Sequence, residues 1–464
     1  MTLTNTPVIL SRKAAGGHLT AGYLLLKTTE FQDRHQQEPE QKQQFALLVG
    51  VALPGTPAWE AEESLNELSR LASTATIAEA SRVLQSRRQI DSRCYIGKGK
   101  AAELKSRAKA AAADMIIFDN DLSPAQMRNL EEIADMRILD RSALILDIFA
   151  LHARTRTAQI QVELAQLHYL LPRLTRQWTH LSRQAGGGAI RGMGAAGVRG
   201  PGETQLETDR RMIRKRISVL TEKLSRVSTQ MATSRKGRSD IFKVALVGYT
   251  NAGKSTLMRA LSGAEVLVED QLFATLDSTT RLVEVDRQQR FLLTDTVGFI
   301  RQLPHHLFAS FRATLEEAVG ADLLLHVVDV SHPHYEMHRT TVDAVLGELS
   351  IGEKPILTVF NKIDQAEAGG EDPPLGEPDQ LRKAIAVSAL TGQGLDELKR
   401  QITARCQANT IILDLSIPQG EGKLLATLRA RAQVLQQDFL DNQVRLRVRL
   451  DRDDADRWRL ARFA

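Results

Sequence analysis

The segment Val244–Ser255, VALVGYTNAGKS, constrains this chain more than any other stretch. An apolar run, with Val244, Leu246 and Val247 as a buried strand, breaks into Gly-x-x-x-x-Gly-Lys-Ser. Gly248 and Gly253 allow a turn tight enough for the N–H groups along Tyr249, Thr250, Asn251 and Ala252 to face one concavity. Where a helix starts, such a concavity cradles phosphate. Lys254 would reach the β- and γ-phosphates, and the Ser255 hydroxyl would ligate Mg²⁺. A glycine turn before a helix can arise by accident. A strand before it and a helix after it make this one a phosphate loop for a nucleoside triphosphate.

The base is set further along, where PILTVFNKID runs from an apolar strand into Asn361-Lys362-Ile363-Asp364. The Asp364 carboxylate can accept the N1–H and 2-amino protons of guanine. Adenine would leave it unpaired, and an unpaired polar group in a site discriminates strongly. Lys362 would lay its stem along the base, and Asn361 would pin this loop to the phosphate loop. In AIAVSAL, Ser388 and Ala389 end another strand, where their backbone would meet the guanine O6, and Leu390 beside them is a further nucleotide contact.

Two segments between these would sense the γ-phosphate. RFLLTDTVGF ends a strand in Asp295-Thr296-Val297-Gly298. Asp295 would hold Mg²⁺ through a water, and the Gly298 N–H would meet the γ-phosphate, which makes Lys254 and Gly298 the candidate catalytic contacts. In LFATLDSTTR, Thr275 is taken as the second protein ligand of Mg²⁺, although spacing alone does not choose it over Thr279 or Thr280.

FATLDSTTR, DTVGFIRQLPHHL and GGGAIRGMGAAGVRGPGETQLETDRR, with YIGKGKAAEL, LSPAQMRNLEE and DRSALILDIFALHARTRTAQIQVELAQLHYLLPRL upstream, resemble the HflX GTPases. The likeness runs from about Ala46 onward, and the glycine-rich signature is specific to that family. The family pattern usually has proline where this chain has Ser278, which bears on loop stiffness only. The resemblance implies that Phe273, Ala274, Thr275, Leu276 and Asp277 contact the nucleotide and that Thr275 ligates Mg²⁺. It also implies a translational GTPase that associates with the ribosome. Many GTPases place a water-orienting glutamine after Asp-x-x-Gly; here that residue is Phe299, so intrinsic hydrolysis should be slow. Phe299 could instead pack in the core while another residue positions the water. His305 and His306 are near in sequence, but spacing assigns neither.

Net charge is only +5, but its distribution is uneven. From Arg173 to Asp240 there are fifteen Lys/Arg against five Asp/Glu, and Arg191 and Arg199 sit among glycines. Apolar residues at Ile160, Leu164, Leu167 and Leu171 precede that loop. After it, Ile213, Ile217, Leu220, Leu224, Val227 and Met231 step by fours and threes, a coiled-coil seam. The expected form is two antiparallel helices joined by a flexible basic loop. Charge runs are usually solvated faces, but a glycine-rich tip with arginines can order on a phosphate backbone, where the guanidinium fork binds phosphate and stacks on bases.

The expected fold class is α/β: a P-loop GTPase domain with a Ras-like doubly wound sheet over residues 241–408. A polar, poorly ordered leader (1–44) and a small N-terminal α/β domain (45–148) precede a helical coiled-coil hairpin (149–238), whose Gly-rich basic loop spans 183–203. A small C-terminal α/β appendage (409–464) follows. In the appendage IILDLSI and VRLRVRL read as strands, GKLLATLRARAQVLQQ reads as a helix, and Trp458 reads as an anchor. YIGKGK lacks the glycine spacing of a second phosphate loop. Cys94 and Cys406, far apart and without His/Cys clusters, fit a reducing compartment and read as small buried residues. No run approaches a membrane span, and no signal pattern opens the chain. The expected protein is a cytoplasmic GTP hydrolase using Mg²⁺, stimulated by the large ribosomal subunit and its rRNA, that splits or rescues stalled ribosomes and is monomeric off the ribosome. The alternative is a GTP-gated regulatory switch with a protein partner.

Overall fold

A computed structural model describes residues 43–175, 201–236, 241–263, 271–273, 275–285, 289–302, 317–349, 351, 354–368, 384–408, 410–440 and 442–463. The leader up to Lys42, most of the glycine-rich loop with Arg191 and Arg199, Ala274, His305 and His306 lie outside them. The chain divides into two compact units, Met1–Gln43 with Leu167–Arg216, and Gln44–Gln166 with Ile217–Ala464. The second holds all three sheets.

Its first sheet contains β1 (Gln44–Ala52), β2 (Ile77–Ser86), β3 (Met115–Phe118) and β4 (Arg137–Leu139), in the order β2-β1-β3-β4 and parallel throughout. Both faces of the central strands are covered, so Ala46–Val49 and Met115–Phe118 read as unbroken apolar runs. β2 has no counterpart among the expected strands. Its sequence, IAEASRVLQS, is half polar, as suits the edge of the sheet. Helices α1 (Ala58–Thr74), α2 (Lys98–Ala110), α3 (Pro124–Ala134) and α4 (Arg141–His152) connect and follow these strands. In LSPAQM, Ser123 and Gln126 form a reciprocal capping box with Pro124 in the first turn, which fixes where α3 begins. YIGKGK leads into α2, with Gly97 at its N-cap. The boundary expected after Ile148 falls inside α4. Cys94 is buried in this core, and Cys406 is half-buried beside the next.

Two helices flank the glycine-rich loop, α5 (Arg156–Leu170) and the 36-residue α6 (Pro201–Lys236). Along α6, Ile213 and Leu220 are buried and Ile217, Leu224 and Val227 half-buried, while most of their neighbours are exposed.

The six-stranded second sheet runs β10-β9-β8-β5-β7-β6, built from β5 (Lys243–Gly248), β6 (Thr279–Glu284), β7 (Arg290–Asp295), β8 (Leu323–Asp329), β9 (Ile356–Asn361) and β10 (Ala384–Ala386). Only the β6–β7 pair is antiparallel. From β5 the chain goes to the edge strand β6 and comes back inward at β7, next to β5. It then returns to the other side of β5 at β8. The order therefore switches beside β5, and a crevice opens at the strands' carboxyl ends. Helices α7 (Lys254–Ser262), α8 (Tyr335–Glu348), α9 (Ile363–Ala368) and α10 (Leu395–Ala408) belong to this part.

The third sheet, β11-β13-β12, pairs β11 (Thr410–Pro418), β12 (Gln433–Leu440) and β13 (Gln443–Asp451) antiparallel, with α11 (Gly422–Arg431) between β11 and β12 and α12 (Arg452–Arg457) after β13. The expected helix over GKLLATLRARAQVLQQ therefore ends early. Ala432 turns extended, and Gln433 to Gln437 join β12, where pairing with β13 overrides local helix propensity. Trp458 packs against this sheet's own core.

Candidate nucleotide site

The phosphate loop leaves β5 at Gly248, whose backbone passes so close to β8 that an added Cβ would sit 2.3 Å from the Val327 carbonyl oxygen. Gly253 has φ +90°, and a Cβ there would lie 2.2 Å from Asn361 Nδ2. Both positions therefore need glycine for backbone reasons. α7 begins at Lys254, directly after Gly253. Lys254 Nζ donates to the carbonyls of Gly248 (3.2 Å) and Tyr249 (2.8 Å). Burial pushes its pKa down to about 8, against the opposing pull of Asp295.

Ser255 Oγ donates to Asp295 Oδ2 at 2.6 Å and lies 2.9 Å from Thr275 Oγ1. Thr279 and Thr280 instead belong to β6, where the Thr280 hydroxyl meets that of Thr294. Burial raises the Asp295 pKa although Lys254 opposes it, and its Oδ1 is buried without a hydrogen bond. Two hydroxyls and a carboxylate with an orphaned oxygen form a hard-oxygen donor set, which suits Mg²⁺ completed by water and phosphate. At Gly298 a Cβ would meet Thr250 Cγ2 at 2.7 Å and Lys254 Nζ at 3.0 Å. Gly298, Thr250 and Lys254 therefore close one end of the site.

Asn361 is 1% exposed. Its Nδ2 donates to the Ala252 carbonyl at 2.8 Å, and its Oδ1 accepts from the Ala389 N–H at 3.0 Å. One side chain thus ties the phosphate loop, the NKID loop and the SAL segment together. Ser388 is buried and accepts from the Thr391 N–H, so Ser388 and Ala389 follow β10 instead of ending it. Lys362, at φ 65°, pairs with Asp329 Oδ2 at 2.7 Å.

These parts line one cavity of about 840 Å³. Thr250, Asn251, Gly253, Lys254, Ser255, Phe273, Thr275, Thr296, Gly298, Asn361, Lys362, Asp364, Ala389 and Leu390 all border it. The volume is within the range of small-molecule sites. Several candidates do not border it. Gly248, Ile363, Asp295 and Ser388 are not among its lining residues, and Tyr249 and Ala252 line a smaller cavity instead. Leu276 and Val297 are buried. Asp277 faces elsewhere: its carboxylate accepts the N–H groups of Arg154 (3.1 Å) and Thr155 (2.9 Å) and the Thr155 hydroxyl, at the start of α5. Phe299 is 3% exposed in a core with Tyr249, Ala245, Val247 and Leu324. Its backbone ties to the phosphate loop through Phe299 N–H to Gly248 O (3.1 Å) and Thr250 N–H to Phe299 O (2.7 Å).

Sequence reading missed the cavity residues Asp329, Ser331 and His332 and the N-terminal residues Arg70, Ser73 and Thr74. Asp329 had a usable signal, since it ends a strand beside the topological switch. The residues of α1 had none, because some 180 residues separate them from the phosphate loop in sequence.

The fold and this loop geometry define a P-loop GTPase. Three family models match consecutive stretches: GTP-binding GTPase N-terminal over residues 62–150, GTP-binding GTPase middle region over 152–238, and 50S ribosome-binding GTPase over 243–362. GTPase HflX of Magnetococcus marinus is 43% identical over 402 residues, covering 86% of this chain and 90% of that protein. GTPase HflX of Escherichia coli K12 is 43% identical over 394 residues, covering 84% and 90%. The chain belongs to the HflX GTPase family and is a GTP hydrolase. Among solved structures it is similar to SsGBP in complex with GDP, at 24% identity and TM-score 0.45, covering 78% of this chain and 99% of that one.

Proposed function

We propose that the protein hydrolyses GTP on contact with the large ribosomal subunit and uses the cycle to split or rescue stalled ribosomes in the cytoplasm. The observation that carries the nucleotide half is the convergence of Lys254, Ser255, Thr275, Gly298 and Asp364 on one cavity, with Asn361 tying its loops together. Ser255 and Thr275 would hold Mg²⁺ with Asp295 behind them, and the ion would supply positive charge against the negative charge that develops on the phosphates. Lys254 and the Gly298 N–H would meet the γ-phosphate, and Asp364 would read guanine.

Phe299 supports dependence on a partner. Its ring is buried in the apolar core, so it offers no hydrogen bond to an attacking water. A partner that supplies or orders transition-state contacts can be worth about 10³–10⁵ in rate. The matched 50S ribosome-binding GTPase model and the arginines of the glycine-rich segment support the large subunit and its rRNA as that partner. No helix among the described residues is long and apolar enough to cross a membrane, which is compatible with work on ribosomes.

Sedimentation of the purified full-length chain with ribosomes and isolated subunits tests this reading in GTP, GDP and a non-hydrolysable analogue. The expected result is binding to the large subunit in the triphosphate state, a fall in the fraction of intact ribosomes, and faster single-turnover hydrolysis when subunits are present. Rapid hydrolysis by the free protein, or no association in any state, would overturn it in favour of a switch that acts on another partner.

A further inference from the structure

One face of α1 meets loops of the GTPase part at Tyr249, Arg301 and His332, and its charged residues recur at helical spacing: Glu60, Glu63, Glu67 and Arg70, with Thr74 one turn on. Three of the four are engaged. Glu60 pairs with Arg301, three residues beyond Gly298. Glu63 pairs with His332 Nε2 at 3.3 Å, and that hydrogen bond holds its carboxyl down at about 2. Glu67 accepts from the Tyr249 hydroxyl of the phosphate loop and pairs with Arg141.

Arg70 breaks the pattern. It is exposed, and its guanidinium makes no hydrogen bond or ion pair among the described residues. Its electrostatic neighbour Glu63 is already taken by His332. Arg70 lines both the small cavity beside Tyr249 and the large nucleotide cavity, sharing each with Thr250 and Asn251. Thr250 marks the end of the site closed by Gly298 and Lys254, and the guanine-reading residues Asn361, Asp364 and Ala389 belong to other loops. Lys362, another cation of the cavity, is already paired with Asp329.

A helix that satisfies every other charge on its inner face leaves one guanidinium beside the phosphate loop, facing a cavity. That side chain has no direct hydrogen-bonded anion among the described residues, and its nearest carboxylate, Glu63, is held by His332 and Asn66. We propose that Arg70 is a nucleotide-contacting residue supplied by the N-terminal part of the chain, and that it binds the γ-phosphate of GTP. The inference rests on reading the cavity as the nucleotide site. A planar fork of donors suits terminal phosphate oxygens, which a diphosphate does not present at that position. The N-terminal part would thereby report whether the nucleotide is a triphosphate.

The test measures equilibrium binding of a non-hydrolysable GTP analogue and of GDP to the full-length chain, as wild type, Arg70→Ala, Arg70→Lys and Lys254→Ala. Arg70→Ala should lose about tenfold or more in affinity for the GTP analogue while GDP binding changes less than about twofold, because charge-assisted hydrogen bonds carry that weight. Arg70→Lys should fall between wild type and Arg70→Ala. Since Arg70 is exposed and unpaired, the thermal midpoint should not move, which separates a contact from a folding effect. Unchanged affinities, or equal losses for both nucleotides, would overturn the γ-phosphate assignment. Lys254→Ala separates the two levels. If it abolishes binding of both nucleotides while Arg70→Ala does nothing, only the Arg70 inference fails. If it leaves both intact, the nucleotide-site reading fails as well.

Discussion

Lys254 shows what burial does to a single charge. The residue is 6% exposed, and desolvation brings its pKa to about 8. A bound polyphosphate favours the charged form and raises that pKa. Binding above pH 8 therefore takes up a proton. Affinity should be full below the free-protein pKa and should decline as pH rises through it, by up to about tenfold per pH unit. Nucleotide titrations from about pH 7 to about pH 9.5, with proton uptake read in buffers of different ionisation heat, check this. A flat affinity without proton uptake would show that Lys254 stays charged in the free protein. Phe299 makes the complementary point. Its position after Asp-x-x-Gly poses a catalytic question, and packing against Tyr249 and Leu324 answers it as a core residue. Resemblance picks Thr275 over Thr279 and Thr280, and its hydroxyl is the one beside Ser255. Spacing could not separate the three, because a loop and a strand edge carry threonine equally well.

At the scale of elements, α1 and α4 build a buried ion cluster that no local pattern announces. Arg141 opens α4 at 1% exposure and pairs with Glu67 and with Asp119 (2.6 Å). Asp119 also accepts from the Ser64 hydroxyl, and Arg141 donates to the Arg301 carbonyl at 3.2 Å. Burial by itself would weaken the Arg141 charge, but the flanking carboxylates hold its pKa above the ordinary value. The Tyr249 hydroxyl, raised by burial and by Glu67, accepts from the Arg301 N–H at 3.0 Å. Arg141→Ala would strand two buried carboxylates and should cost about 3–5 kcal/mol, since removing one partner of a buried pair leaves charge uncompensated. Denaturant unfolding of the wild type and variant measures it. A loss below about 1 kcal/mol would mean that water enters and solvates Glu67 and Asp119. β12 and β2 carry the other lesson at this scale. Each is polar enough to hide from a periodicity reading, and each exists because a neighbouring strand offers a ladder to join.

For the whole molecule, the basic glycine-rich segment is where proposed function meets charge distribution. Arg191 and Arg199 lie outside the described residues. Replacing both with alanine should spare partner-free hydrolysis, because neither belongs to the nucleotide loops. It should also make ribosome binding less steeply salt-dependent, by roughly one unit of log–log slope per lost phosphate contact. Measured salt titrations that keep the wild-type slope would make that segment a passive connector. The sequence by itself determined the GTPase class and the doubly wound sheet. The chemistry of VALVGYTNAGKS, DTVG and NKID is local: glycines, a lysine, hydroxyls and a carboxylate act within a few residues of a strand end. Only the tertiary structure decided that α1 lies against the phosphate loop, that Asn361 ties three loops together, and that Asp277 turns away to Arg154 and Thr155. Those contacts join residues between about thirty and one hundred and eighty positions apart. No periodicity or spacing encodes such distant partners. They are chosen when whole surfaces pack and each buried charge must find its counterpart.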